Sequence, residues 1–355
     1  GICYAFDSLY VVVNSRSSTT GCGVFRLLDT NDDDQFDQVV TIKKLEATGG
    51  EHGPHAILPS PDGKHLIVVM GNQTQLPPDY SHSRPPEFWG EDQLLPSLQH
   101  FMKGVVAPRG HMAQIDPEGK KWEIIATGFR NQYDAAFNRD GELFTYDADM
   151  EWDMNTPWYR PTRINHVIDG ADYGWRTGSG KFPAYYSDTF GAVVDIGPGS
   201  PTGISFGYGA KFPHHYQNAL FVCDWSYGKL YAVHMEEKGS TYIGRFEEFA
   251  RSQPLPLTDI LINPKDGAMY FTIGGRRVQS AIYRVTYTGK LSTSPAPPKK
   301  DKTDGDQQRQ HRRVLEAHLR KQSSPAPKDA RPPRTFTFSA LPKVSAICLG
   351  QIRVH

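Results

Sequence analysis

The sequence predicts an all-β protein, a β-propeller built from four-stranded blades. Three observations predict it. The 355 residues include 33 Gly, 27 Pro, 17 Tyr and 18 Phe, a composition that suits short strands and tight turns better than long helices. A turn of the Pro/Asn-x-Asp-Gly kind, followed by a short aromatic and β-branched strand, returns along the chain at roughly blade spacing. A second strand then follows most of these repeats, and twisted sheets of that kind bury their faces only against neighbouring blades.

In order, the repeated phrase is Ala5 to Val13, Ser60 to Met70, Asn138 to Tyr146, Asn218 to Asp224 and Asn263 to Ile273, read as the inner strands. The following strands are Gly23 to Leu28, Arg109 to Ile115, Arg163 to Ile168, Gly228 to His234 and Ala281 to Thr286. Five units are visible. Propellers with this phrasing commonly have six blades, so the expectation is a six-bladed type lacking one N-terminal blade. The propeller is placed at residues 1–289, a Pro/Lys/Asp linker prone to disorder at 290–307, and a basic tail at 308–355. A short helix is expected at Gln308 to Gln322, and the rest of the tail carries no readable pattern. The Pro-rich insertion from Gln73 to Pro108 reads as an aromatic-bearing loop over one face of the disc, where substrate selectivity would be set.

Acidic and basic residues balance at 39 each, which gives no argument for a nucleic acid or a membrane surface as partner. No apolar run has the length of a transmembrane helix, and the first residues read as a strand rather than a signal peptide. Cys3, Cys22, Cys223 and Cys348 form no CxxC pair, which excludes zinc ribbons, redox dithiols and c-type haem attachment. A Cys3–Cys22 disulfide and buried free thiols both remain open.

Chemistry concentrates first in Gly49 to Asn72, where His52 and His55 lie in a Gly/Pro-rich turn that runs into a hairpin and a strand. A rigid loop carrying a histidine into a cavity suits proton abstraction; loop histidines with hydrogen-bonded rings and no chemistry are the alternative. The second constellation is Gly128 to Trp175. Arg130 and Asn131 stand just before a blade's inner strand, in the loop that enters it, and Asp147, Asp149, Glu151 and Asp153 follow directly at that strand's end. Arginine suits an anion or a quinone oxygen, and the carboxylates and carbonyls suit a hard cation such as calcium. A solvated acidic loop fits that spacing equally well. Gly274-Gly275-Arg276-Arg277 offers close backbone approach and positive charge, or a tight turn with exposed arginines. Asp29 to Asp37 begins like a calcium loop, but Asp34 replaces the turn glycine and Val40 the closing glutamate.

With these pieces placed, residues Ala5 to Thr288 resemble the glucose/sorbosone dehydrogenase family, soluble quinoprotein β-propellers that use pyrroloquinoline quinone (PQQ) and calcium. The nearest likeness is to the membrane-bound dehydrogenase domain of large, planctomycete-type, haem-binding multidomain proteins. Arg130-Asn131, then Arg163-Ile164-Asn165 and Tyr173-Gly174-Trp175, resemble the family's RNP…EIN…NYGW run. The family's catalytic histidine stands nine residues before the proline of a Gly-Pro-Asp turn; that proline matches Pro61, and the histidine is His52.

The resemblance implies His52 as general base, with Arg130 polarising the quinone together with Asn131. It implies Arg276 or Arg277 on the quinone carboxylates, and calcium at carbonyls around Asp149 and Met150 with Asp147 nearby. It also implies a sugar or alcohol substrate, a c-type cytochrome or haem domain as electron acceptor, and a periplasmic or secreted location. The sequence departs from the family in three places. Asp147-Ala148-Asp149-Met150 replaces Glu-Gln-Gly-Pro, Gln132 replaces the proline after Arg130-Asn131, and His55 takes the place of a glycine. That last ring either replaces a cofactor contact or blocks the cofactor. The competing readings are a non-catalytic propeller that binds carbohydrate or a protein on its loop face, and a metal site built on His52 and His55.

Overall fold

The computed structural model describes residues 1–17, 19–77, 80–82, 105, 109–148, 159–176, 180–181, 190–275, 277, 279–297 and 303–322. Among these, the strands form five blades in chain order, not the six-bladed type expected. The first blade is Ile2–Ala5, Ser8–Val13, Gly23–Leu28 and Gln38–Lys44. The second is Pro54–Pro59, Leu66–Met70, Gly110–Ile115 and Trp122–Phe129, and the third is Ala135–Phe137, Leu143–Asp147, Thr162–Val167 and Val194–Gly197. The fourth is Pro201–Phe206, Leu220–Asp224, Lys229–Lys238 and Thr241–Arg251, and the fifth has Leu257–Ile262, Met269–Ile273 and Ala281–Val285. The strands read from the repeated phrase as innermost are therefore second in their blades. A shorter or more polar strand precedes each one.

The second strands stood out in the sequence because both of their faces are covered. Leu66–Met70, Leu143–Asp147 and Leu220–Asp224 are buried along their whole length. Period-two alternation then sends successive side chains into different inter-blade cores. Leu66, Val68 and Met70 pack with Tyr10, Val12 and Val24 of the first blade, while Ile67 and Val69 pack with Leu143 and Val167 of the third. Phe144 and Tyr146 meet Leu220 and Val222 between the third and fourth blades. Phe221 and Cys223 meet Leu257, Met269 and Phe271 between the fourth and fifth. Each such side chain contributes on the order of 1.5–3 kcal/mol on burial. The end blades keep apolar side chains in solvent, with Ile2 and Tyr4 exposed on the first and Ile282 and Leu261 on the fifth.

A strap ties the second and third blades together. After the third blade's third strand the chain returns, and Ala171–Asp172 pairs in parallel with Trp122–Phe129. Tyr173 stacks on Phe129 at 4.4 Å, and its hydroxyl donates to the His166 carbonyl while accepting from the Ile168 N–H. Arg176 closes the strap through a buried 2.7 Å pair with Asp172. The Tyr173-Gly174-Trp175 signature thus serves inter-blade packing.

A helix at Asp304–Gln322, starting earlier than the Gln308 expected, packs on the turn that opens the strand Leu143–Asp147. Thr303 and Asp306 cap it reciprocally. Arg312 and Arg313 both pair with the buried Glu142, Arg309 pairs with Glu237, and Arg320 pairs with Asp169 and Glu123. The start of the expected linker is also pinned: Gln217 donates to the Ser294 carbonyl and accepts from the Ala296 N–H. The Gln73–Pro108 insertion and the tail beyond Gln322 lie largely or wholly outside the described residues.

Candidate active site

The histidine loop is fixed from both neighbouring elements. Asn14 of the first blade donates to the Gly50 carbonyl at 2.7 Å, and Arg16 donates to that of Gly49. From the second blade, the His52 N–H donates to Gln73 Oε1, and the Gln73 N–H returns a bond to the His52 carbonyl. The Gly71 N–H donates to the Gly53 carbonyl. A side chain at Gly71 would stand 2.6 Å from both the His52 carbonyl oxygen and Asn131 Oδ1, so only glycine allows this approach.

His52 is buried, with 4 % of its surface exposed, and its Nδ1 lies 2.8 Å from Asn72 Oδ1. An amide oxygen only accepts, so Nδ1 carries the ring proton and the lone pair falls on Nε2. Burial, and then the charge of Arg130, push the His52 pKa well below its ordinary value. The ring is therefore neutral at pH 7. The Asn72 backbone N–H in turn donates to the Arg130 carbonyl at 2.9 Å, which seats the arginine loop beside the histidine loop.

Arg130 is itself buried, and Asp147 determines where it sits. The Asp147 carboxylate accepts the backbone N–H groups of Arg130, Asn131 (2.8 Å) and Ala148 (2.9 Å). Asp147, expected beside a calcium ion, also clamps the loop that presents Arg130 and Asn131. Gln132, in the place of the family's proline, has a comparable task. Its side-chain nitrogen donates to the carbonyls of Met70 and His111, tying the loop to two strands of the second blade.

His55 also belongs to this site. Its Nε2 lies 2.7 Å from Asn131 Oδ1, and its ring packs on Tyr133 at 4.6 Å. Burial lowers its pKa to about 4. The structure brings His52, His55, Arg130 and Asn131 together in one place, His55 at the start of the strand Pro54–Pro59 and the other three on loops. Asp149, Met150 and Arg276 lie outside the described residues. Arg277 is exposed, with a positive φ of 59°.

Four residues that reading the sequence did not assign also shape the site. Asn72 orients His52, Gln73 and Gln132 brace the loops, and Asp134, next to Tyr133, accepts the Ala135 and Ile204 N–H groups. Burial, and then the charge of Asp259, raise the Asp134 pKa to about 7. Apart from the departure at Gln132, nothing in the sequence marks these residues, because their partners are distant in the chain. In the acidic Asp29–Asp37 turn, the carboxylates of Asp29 and Asp37 accept backbone N–H groups of the turn itself. Cys3, Cys22 and Cys223 are free thiols. Among the described residues the one acidic group with metal-like spacing is Asp140, Glu237 and Asp306, on the helix-bearing face, and Arg309 sits in it.

This geometry can be set beside known proteins. The chain superposes on the PQQ-bound aldose sugar dehydrogenase of Streptomyces coelicolor with a TM-score of 0.54 and 14% identity, over 78% of this chain and 75% of that one. The fold is that of soluble sugar dehydrogenases. A Thermus thermophilus oxidoreductase described as a glucose dehydrogenase gives a TM-score of 0.55 at 19% identity, over 78% of each chain. The apo aldose sugar dehydrogenase of Escherichia coli gives 0.50 at 17% identity, over 75% of each. No protein-family model matches the sequence, and no curated protein does. No helix among the described residues is long and apolar enough to cross a membrane.

Proposed function

We propose that this protein oxidises a sugar or alcohol using pyrroloquinoline quinone, with His52 as the general base. The observation that carries this reading is the His52–Asn72 pair. It holds a buried, neutral imidazole with its lone pair on Nε2, next to a buried arginine. A base so prepared takes a hydroxyl proton without first losing one of its own.

The donors present fit the quinone's oxygens. Arg130 offers a guanidinium, Asn131 an amide nitrogen, and Asn72 Nδ2 is buried without a partner. A bound quinone would supply the two-electron acceptor for the hydride leaving the substrate carbon. His52 Nε2 takes the hydroxyl proton, and the Arg130 charge keeps the ring neutral until that transfer. Asp147 holds Arg130 and Asn131 in register, so that neither has to reorganise when the substrate is bound.

Calcium belongs to the same reading, at the carbonyls of Asp149 and Met150, with Asp147 shaping the loop rather than donating a side-chain oxygen. Arg276 and Arg277 are assigned to the quinone carboxylates. A c-type cytochrome or haem domain would take the electrons, in a periplasmic or secreted setting of the planctomycete type. Calorimetry of the full chain with PQQ and calcium, together with dye reduction against a panel of sugars and alcohols, tests the proposal. Binding is expected, with turnover that His52→Ala lowers by about 10²- to 10⁴-fold. Absence of both binding and turnover would overturn it.

A further inference from the structure

His55 stands where the resembled family has a glycine, and the structure gives that ring a specific task. Its Nε2 lies 2.7 Å from Asn131 Oδ1. The same oxygen is wedged against the Gly71 backbone, where even a Cβ would come within 2.6 Å. Tyr133 packs on the imidazole at 4.6 Å and restrains its rotation. The Asn131 backbone is already fixed by Asp147.

We propose that His55 is a positioning residue: by donating from Nε2 to Asn131 Oδ1 it fixes the amide so that Asn131 presents Nδ2, a donor, to an oxygen of the quinone. Turning the amide over would set its NH2 against the His55 N–H, donor facing donor, in a half-buried contact. An unassisted asparagine samples both orientations and offers the cofactor an acceptor part of the time. With the Nε2 proton committed to Asn131, the His55 lone pair lies on Nδ1. His52 and His55 therefore hold opposite tautomers, His52 with its lone pair on Nε2 and His55 with its proton there. The two histidines divide the work, one on the substrate proton and one on the cofactor's orientation.

This inference rests on the quinone reading, and the experiment separates the two. Nitrogen-15 NMR of the histidine rings in the full-length apoprotein reads the tautomer without any cofactor, and His55→Gln assigns the signal. A protonated, pyrrole-type Nε2 is expected, and a pyridine-type Nε2 would overturn the role. PQQ binding at saturating calcium is then compared for wild type, His55→Gln and His55→Gly. Glutamine keeps an N–H donor at similar reach and is expected to bind within about threefold of wild type, while glycine weakens binding by about fivefold to tenfold. Equal or tighter binding by His55→Gly would show a ring that obstructs rather than positions, and would end the proposal. If wild type takes up no quinone, the functional reading itself fails, and the apoprotein tautomer distinguishes that result from a failure of the His55–Asn131 arrangement.

Discussion

His52 Nδ1 and Asn72 Oδ1 lie 2.8 Å apart in a buried contact that joins the loop entering the second blade to the loop leaving its second strand. The pair fixes which imidazole nitrogen carries the proton, and thereby which one meets the substrate. Asn72→Leu removes the acceptor while keeping most of the volume. Its kcat should fall by about 10- to 100-fold with KM little changed, whereas His52→Ala should cost about 10²- to 10⁴-fold. Steady-state dye reduction by the PQQ-loaded protein measures both. An Asn72→Leu variant with wild-type kcat would remove the tautomer argument.

Asp147 predicts a loss that is structural first and functional second. Asp147→Asn keeps the shape but places an NH2 against backbone N–H donors, so the variant should lose about 1–3 kcal/mol in urea unfolding. Because the released backbone belongs to Arg130 and Asn131, PQQ binding should weaken as well, and added calcium should not restore it. Restoration by calcium would return Asp147 to the role of metal ligand.

The buried histidines set the acid side of the stability profile. His55 and His111 both have pKa values lowered to about 4 by burial, against an ordinary value of 6.5. Between those values the unfolded chain binds protons that the folded chain does not, so stability rises with pH. The contribution is complete above about pH 6.5 and is lost as the pH falls toward 4. Thermal melts across that window should show the decline, and His111→Gln should flatten it. Because Asp134, raised to about 7, opposes this slope, a His111→Gln profile no flatter than wild type is the result that would contradict the burial of that ring.

Glu142 ties the C-terminal helix to the propeller. Burial alone would raise its pKa, but the hydrogen bond from His166 and the charge of Arg312 outweigh this and hold it at about 2. Arg312→Ala leaves this carboxylate, only 3 % exposed, with a weakened set of partners. The expected destabilisation is about 2–4 kcal/mol by urea unfolding. Adding Glu142→Gln should recover part of the loss, because the uncompensated charge is then gone. If the double variant is no better than the single one, packing of the Arg312 stem accounts for the effect.

The sequence by itself determined that the chain repeats a turn-and-strand unit, that five such units are present, and that His52, Arg130 and Asn131 lie on loops at blade junctions. These are local properties: strands such as Leu66–Met70 and Leu220–Asp224 are apolar throughout because neighbouring blades cover both faces. The same property misplaced the strands within each blade. Burial on two faces marks the second strand, while the shorter or more polar strand before it reads weakly. Only the tertiary structure decided the remainder. It set the five units as five blades rather than a six-bladed type, brought the Asp147 carboxylate onto the Arg130 and Asn131 backbone, laid the Asp304–Gln322 helix on Glu142, and gave His52 and His55 different amide partners. Asn72 and Asn131 lie 20 and 76 residues from those histidines. A hydrogen bond across such a separation leaves no periodicity in the chain, so the tautomer of each ring, and with it the chemistry proposed for each, becomes visible only when the blades are assembled.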